Sequence, residues 1–326
     1  KVVEKRNLLA PLGMIVILLV YFVQDIWVFD MISSYMVFFL SLAFINFLIS
    51  KRREEPPILP SKINQLIPLL GGFLIVLTIF TFYFGNIQPA RASKSIILTL
   101  TAPPEKSLSL FQKTLALSPM AIFEAPEQFI RKVSDFISND KLSSDFKNQA
   151  FNLSIQSMEK AIERSPNDFR LYLLLGRHYN DFYRATGDPA KLDLAEKTLN
   201  KAIELSPKNQ QGYWSLAETK FSQEKGGEAT ALMQKAVDLE PRFPISYWYL
   251  AMTYKLTGKT ELALQTIKEA EKHGFNWRSN LEYIKQIIEL YEGLQDDEML
   301  VNLYSLAIER NPKEARFWAG LAVSLI

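Results

Sequence analysis

A short phrase that ends in proline recurs along the second half of this chain. The phrase reads AIERSP, AIELSP, AVDLEP and AIERNP, and it closes at Pro166, Pro207, Pro241 and Pro312. Pro207 and Pro241 are 34 residues apart, an interval typical of folds that stack one small helical unit on the next. Because proline cannot continue the hydrogen-bond ladder of a helix, each phrase predicts the end of a helix.

The residues between these prolines also repeat. The first helix of each unit has large residues beside a small one, as in Tyr172, Leu175, Gly176 and Tyr179, then Tyr213, Leu216 and Ala217, then Tyr247, Leu250, Ala251 and Tyr254. The second helix carries Ala195, Leu199 and Ala202, then Ala229, Met233 and Ala236, then Ala263, Ile267 and Ala270. Small residues at these sites let two helices approach closely. The pattern predicts tetratricopeptide repeats, which are helix–turn–helix units.

The repeat pattern covers residues 89–326, with some departures. About seven extra residues lengthen one unit around the turn at 186–189, and Gly274 stands where another unit lacks its closing proline. The segments SLSLFQKTLALSP and FNLSIQSMEKAIERSP are interpreted as the second helices of earlier, degenerate repeats. The pattern is still helical at Ile326, so we expect a repeat domain truncated at its C-terminal end, in a fragment of a longer protein.

Three apolar segments precede the repeats, and we predict spans at about 8–26, 31–49 and 66–85; their cores at 8–23, 31–49 and 66–85 contain no charged side chain. A helix needs about 20 apolar residues to cross a bilayer. The second and third segments meet that length, and the first meets it only if interfacial residues near Trp27 contribute. We therefore predict a transmembrane region over 1–88. The expected fold class is all-α, with three transmembrane helices followed by a tetratricopeptide-repeat superhelix, and the lipid bilayer is the first expected partner.

Two carboxylates lie between the uncharged cores of the first and second segments, at Asp25 and Asp30, close to Gln24. One aspartate at the centre of a membrane helix costs about 2.5 to 3.5 kcal/mol, so a turn at the water interface is the better placement. We favour a structural role for these residues, with Asp30 capping the second span, over a role in catalysis.

The positive charges orient this membrane region. Basic residues precede the first span (Lys1, Lys5 and Arg6) and separate the second from the third (Lys51, Arg52, Arg53 and Lys62), whereas none separates the first from the second. Basic segments stay preferentially in the cytoplasm. The chain is therefore predicted to be a multi-pass protein of the cytoplasmic membrane. The turn at 24–30 and the repeat domain are predicted on the outer face of that membrane.

Composition excludes several classes of function. The chain has no cysteine, so disulfides, thiolate metal sites and cysteine nucleophiles are excluded, and its net charge of +2 gives no reason to expect nucleic-acid binding. No phosphate-binding loop, cofactor motif or metal-ligand spacing is present. The two histidines, His178 and His273, lack partners of a catalytic or metal-binding type, and we expect both at the surface.

The first helices of stacked repeats form a concave face. By their spacing, this face is predicted to carry Arg170, Arg177, Asn180, Gln211, Trp214, Glu218, Phe221, Trp248, Met252 and Lys255. The three aromatic residues in this set have two interpretations. They pack against the neighbouring repeat, or they form a groove that binds a protein segment or a sugar polymer.

The stretch YFVQDIWVFD, the apolar MISSYMVFFLSLAF after it, the third span and the repeat array together resemble the end of bacterial O-antigen ligase or polymerase family proteins with a tetratricopeptide tail. In that subgroup the turn commonly runs Gln-Asn-aromatic-x-Phe-Asp. This chain keeps Gln24, Phe29 and Asp30 but has Asp25 in place of the asparagine, and its turn is one residue longer than that pattern. The resemblance covers the whole chain, although its specific residues lie around that turn.

The resemblance implies a polytopic glycosyltransferase that moves a glycan from a polyprenyl-diphosphate carrier on the outer face of the cytoplasmic membrane. The family's diphosphate-binding residues belong to an earlier outer loop, so no catalytic residue is transferred to this chain. The repeat domain would be its docking module for a protein or a glycan. The alternative is a non-catalytic, membrane-anchored tetratricopeptide scaffold for assembling envelope proteins.

Overall fold

The computed structural model describes residues 39, 42–45, 69, 72–73, 75–77, 79–117 and 121–326. The chain divides into two compact units, Lys1–Thr78 and Ile79–Ile326. Every described residue before position 102 is helical, and no strand occurs in any of the ranges above.

The predicted membrane region lies largely outside the described residues. The span at 8–26 and the turn with Gln24, Asp25 and Asp30 lie wholly outside them. The described parts of the other two spans are helical, and their large apolar side chains, such as Phe39 and Leu69, are exposed. Among the helices that the structure does describe, none combines the length and the apolar character needed to cross a membrane. The three spans and their orientation therefore stay predictions.

The second unit is a series of helices joined by short connections. A π-helical turn at Tyr83–Ile87 leads into the first of them. The helices are α1 (Gln88–Thr101), α2 (Pro104–Leu117), α3 (Ala121–Ser134), α4 (Ser144–Arg164), α5 (Phe169–Thr186), α6 (Ala190–Leu205), α7 (Gln210–Ser222), α8 (Gly226–Leu239), α9 (Pro244–Leu256), α10 (Thr260–Lys272), α11 (Leu281–Glu292), α12 (Asp297–Arg310) and α13 (Ala315–Val323). A 3₁₀ turn, Trp277–Ser279, lies between α10 and α11.

These helices pack as successive hairpins. Each odd-numbered helix from α1 to α11 packs on the even-numbered helix that follows it, and neighbouring hairpins pack on each other through α6 and α7 and through α8 and α9. The two segments interpreted as second helices of degenerate repeats are α2 and α4, which confirms that the hairpins extend upstream of the regular repeats. The unit is thus an array of tetratricopeptide-type hairpins.

The proline phrase recurs in space as well as in sequence. The helices that carry the phrase, α4, α6, α8 and α12, each end two residues before its proline, as the sequence predicted. In two hairpins a tyrosine in the first turns of the next helix then donates to the carbonyl of that proline. Tyr172 Oη is 3.1 Å from the Pro166 oxygen, and Tyr213 Oη is 2.9 Å from the Pro207 oxygen. This bond fixes where the new hairpin begins.

Polar side chains cap the first helices of three hairpins. Asp168 accepts a hydrogen bond from the amide nitrogen of Arg170 at 3.0 Å, and Asn209 and Asn280 cap α7 and α11 in the same way. These bonds satisfy backbone donors that have no partner inside the helix. The short phrase between two helices therefore supplies both the stop of one helix and the start of the next.

Close approach between paired helices depends on the small residues. A side-chain carbon added at Gly176 would lie 2.5 Å from Leu199 Cγ, which is closer than such atoms approach in proteins. Leu199 and Ala236 are fully buried. The predicted glycine and alanine positions are therefore the contacts that bring α5 to α6 and α7 to α8.

The departures from the repeat have simple structural outcomes. The extra residues after Tyr179 lengthen α5 to 18 residues, and Gly187 ends it with φ of 72°. Gly274 lies just beyond the end of α10 with φ of 92°, a left-handed conformation that glycine adopts without steric cost. Both outcomes confirm the sequence interpretation of these two turns.

Candidate functional site

A pocket of about 510 Å³ opens between α5, α7 and α9. Most of its lining comes from the first helices of two consecutive repeats. The lining residues are Arg177, Gln211, Trp214, Ser215, Ala217, Glu218, Phe221, Met233, Tyr249, Met252, Thr253 and Leu256. We call this the α5–α7–α9 groove.

The floor of the groove is aromatic and aliphatic. The ring of Trp214 stacks on Phe243 at 6.0 Å between centroids and meets Tyr249 edge-on at 5.0 Å. Tyr249 is 38% exposed and Leu256 is 60% exposed, which is high for large apolar or aromatic side chains that lie close together. Exposed apolar surface of this kind, rimmed by polar groups, marks an interaction site on a folded domain.

Two charged residues line the groove, and they differ in how they are compensated. Burial raises the pKa of the Glu218 carboxyl, and the Arg184 guanidinium, 3.1 Å away, partly offsets that rise. Arg177 is exposed and makes no ion pair or hydrogen bond with any residue in the described part of the chain. The groove therefore contains one acid paired with Arg184 and one exposed cation, Arg177, whose charge also lowers the pKa of Glu218 although the two side chains form no ion pair.

Six of the ten residues assigned to the concave face from the sequence line the groove, namely Arg177, Gln211, Trp214, Glu218, Phe221 and Met252. They come from three helices and are far apart in sequence. The 3.6-residue spacing of each helix, applied repeat by repeat, was sufficient to bring them together. Binding at this site stays a prediction.

The placement of Trp248 on the concave face was wrong. Its side chain is 2% exposed and lies in the core, against Phe275 at 5.0 Å and Tyr283 at 4.8 Å. Both rings that cover it belong to the atypical connection and helix that follow Gly274. Trp214, one repeat earlier, contacts the corresponding rings of Phe243 and Tyr249 at 6.0 and 5.0 Å, but it is only half-buried.

Asn180 was also wrongly assigned to the open face. It is 2% exposed and joins two repeats: its side-chain nitrogen donates to the Ser215 carbonyl at 3.2 Å, and its oxygen accepts from Thr219 Oγ1 at 2.9 Å. A buried amide needs such partners because an unpaired polar group in the interior is costly. Asn180 thus fixes the packing of α5 on α7.

The remaining two predicted residues lie outside the groove lining. Arg170 is exposed at the start of α5, where its guanidinium pairs with Asp168 at 2.9 Å and lowers the pKa of that carboxyl. Lys255 pairs with Glu289 at 2.5 Å and donates to the Gln286 carbonyl at 3.2 Å, which ties α9 to α11. Both cations have local structural partners.

Tyr249 and Leu256 are groove residues that the sequence analysis missed. Each lies one position after a residue chosen in their place, Trp248 and Lys255. On α9 the series 248, 252, 255 and the series 249, 252, 256 fit helical spacing equally well. The rings of Phe275 and Tyr283, which come from later in the chain, cover the side of α9 that carries Trp248.

A second pocket, of about 530 Å³, lies on α11, α12 and α13, and charged residues line much of it. Its carboxylates already have partners in two cases: Glu289 pairs with Lys255, and Glu292 accepts from Tyr304. In the ranges that the structure describes, no group of three or more His, Cys, Asp or Glu side chains could hold a metal ion.

The expectation that both histidines lie at the surface was wrong for His178. It is 1% exposed, stacks on Phe151 at 4.7 Å and has its Nε2 2.5 Å from Ser154 Oγ. Burial lowers the pKa of its imidazole to about 4. His178 is therefore a neutral core residue at pH 7, whereas His273 is exposed.

Comparison with known proteins finds similar solved structures only. No protein-family model and no curated protein matches the chain. The crystal structure of MamA protein is 19% identical, with a TM-score of 0.39, over 58% of this chain and 95% of that one. A thermophilic TPR protein of Thermus thermophilus, TTC0263, is 17% identical, with a TM-score of 0.39, over 73% and 98% of the two chains.

A third similar structure, of Pseudomonas aeruginosa pilF, is 14% identical, with a TM-score of 0.45, over 72% of this chain and 98% of that one. These identities and TM-scores are too low to support any argument about function. The assignment of tetratricopeptide-type hairpins rests on the spacing, caps and contacts of this chain's own helices.

Proposed function

We propose that this chain is a non-catalytic docking scaffold whose repeat array binds an extended segment of a protein partner in the α5–α7–α9 groove. The observation that carries this proposal is the cluster of half-exposed aromatic and aliphatic side chains on successive first helices, beside the exposed Arg177, which forms no ion pair. Rigid aromatic residues in a concave pocket are the usual energetic centre of protein interfaces.

A groove variant tests the proposal. Peptides that bind the full chain are selected from a random display library and measured by fluorescence anisotropy. Leu256→Lys places a charge in the apolar floor at a 60% exposed position, so we expect at least a tenfold loss of affinity with unchanged helix content. Leu262→Lys, at a 42% exposed position on the second helix α10, is the matched control.

Loss of binding in both variants, or in neither, would contradict the assignment to the groove. A sugar polymer is the other candidate occupant. It would be recognised instead if soluble glycan, and no selected peptide, competed for the site.

We further propose that the scaffold is held at the outer face of a cytoplasmic membrane. The support is the distribution of lysine and arginine around the three apolar segments. A reporter fused after residue 58 should be active only in the cytoplasm, and one fused after residue 150 only outside. The opposite pattern would reverse the orientation and exclude an extracytoplasmic partner.

A second candidate function is the glycan ligase or polymerase of the resembled family, acting on polyprenyl-diphosphate-linked glycan. The observation in its favour is the turn with Gln24, Phe29 and Asp30 after an apolar segment. The gene sequence upstream of the codon for Lys1 tests it. Further apolar spans and a large outer loop with arginine and histidine would support the ligase, and an initiator codon immediately upstream would support the scaffold alone.

A further inference from the structure

Three polar side chains of the α5–α7–α9 groove carry hydrogen-bond donors that lack an acceptor in the described ranges. Arg177 offers its guanidinium, Tyr249 its hydroxyl and Gln211 its side-chain amide, which is also an acceptor. None of these three side-chain groups forms a hydrogen bond or ion pair with another residue of the described ranges. Burial raises the pKa of the Tyr249 hydroxyl, and the positive charge of Arg177 lowers it. This is the effect expected of a guanidinium near that hydroxyl.

The carboxylate already in the groove does not supply the missing acceptor. Glu218 is bound by Arg184 at 3.1 Å, and Arg184 also pairs with Asp181. A ligand that enters the groove displaces water from Arg177 and must replace those hydrogen bonds. A carboxylate does this best because it accepts two parallel bonds from one guanidinium.

The apolar floor extends in both directions along the helix axes from Glu218 on α7 and Met252 on α9. Trp214 and Phe221 are seven residues apart on α7, and Tyr249 and Leu256 are seven apart on α9, which is about 10 Å along a helix. An extended chain covers that length with about three residues. A segment that fills the whole floor therefore continues in both directions past its central residue.

We propose that the groove selects an internal segment of a protein partner in which one aspartate or glutamate side chain lies between two large apolar side chains. The carboxylate binds Arg177, with Tyr249 and Gln211 as further donors. The flanking side chains pack on the aromatic floor. This inference rests on the proposed docking function and adds the chemistry of the partner.

The test uses peptides selected on the full chain and then changed at one position. In each peptide the central acid is replaced by its amide, Asp by Asn or Glu by Gln. We expect the amide peptide to bind at least about tenfold more weakly, because a charge-assisted bond is lost. The affinities of the acid peptide and its amide are then measured for the Arg177→Gln variant. For this variant the two affinities should differ by no more than about twofold.

Arg170→Gln is the matched control, because it removes the same charge from the same helix outside the groove lining. It should keep the tenfold preference for the acid. A peptide whose acid is its own C-terminal carboxylate is the remaining arm. Stronger binding of that peptide than of any internal acid would overturn the proposal that the segment runs through the groove.

The outcomes separate the two levels of proposal. If selected peptides bind in the groove but show no preference for the acid, or keep it on Arg177→Gln, the inference about chemistry is wrong and docking stands. If no selected peptide is sensitive to Leu256→Lys, the groove is not the docking site and both proposals are wrong.

Discussion

Replacing Trp248 with alanine should lower the free energy of unfolding by about 3 to 5 kcal/mol. The indole is 2% exposed and packs against two aromatic rings in the core of α9–α13. Its removal leaves a cavity that Phe275 and Tyr283 cannot fill without moving. Because repeat arrays can unfold in parts, amide hydrogen exchange in α9 and α11 is the suitable measurement, together with a urea midpoint by circular dichroism.

Trp214→Ala is the matched control for that change. Trp214 is half-buried and lines the groove, so its removal should cost less stability and reduce peptide binding more. Equal losses of stability in the two variants would contradict the distinction between a core tryptophan and a groove tryptophan. Unaltered exchange in α9 after Trp248→Ala would contradict the packing around Gly274.

Acidification should destabilise the array by about 3 kcal/mol between pH 6.5 and about pH 4, through His178 alone. Burial lowers the pKa of this imidazole in the folded chain from 6.5 to about 4. In that interval the unfolded state binds a proton that the folded state does not, so stability falls as the pH falls. Above pH 6.5 both states are neutral at this residue, and its contribution no longer depends on pH.

His178→Phe isolates this effect. The variant keeps an aromatic ring beside Phe151 and has no titratable group, so its midpoint should depend less steeply on pH over the same interval. His273→Gln, at an exposed position, should leave the pH profile of the original chain unchanged. If the profile of His178→Phe coincides with that of the original chain, His178 is not the buried neutral residue described above.

The regular part of the fold could be predicted from the sequence because its signals are local. A proline acts within one turn, so Pro166 and Pro207 mark the helix ends beside them, and the small residue of each first helix, such as Gly176 or Ala217, recurs at the same place in the regular repeats. The hairpins, their order and the lengthened α5 follow from such residues. The two glycine-terminated turns follow as well, since only glycine adopts that backbone conformation without steric cost.

The errors arose where contacts from another repeat decide exposure. Trp214 and Trp248 occupy the same position in consecutive repeats and contact corresponding rings, yet Trp214 lines the groove and Trp248 is 2% exposed. His178 and Asn180 are polar residues on a helix surface, and the partners that allow their burial, Ser154 and Ser215, belong to neighbouring helices. Helical spacing identifies the face of a helix, but it does not identify what covers that face.

The most direct test of the central claim, that the α5–α7–α9 groove is the docking site, is site-specific photocrosslinking. A photoreactive phenylalanine analogue replaces Phe221 in the groove or, separately, the exposed Leu194 on the second helix α6. The full chain is irradiated with its tightest selected peptide, and the products are mapped by mass spectrometry. If the peptide docks in the α5–α7–α9 groove, we expect covalent adducts from position 221 that excess unlabelled peptide suppresses. We expect no adducts from position 194. Adducts from position 194 alone would contradict it.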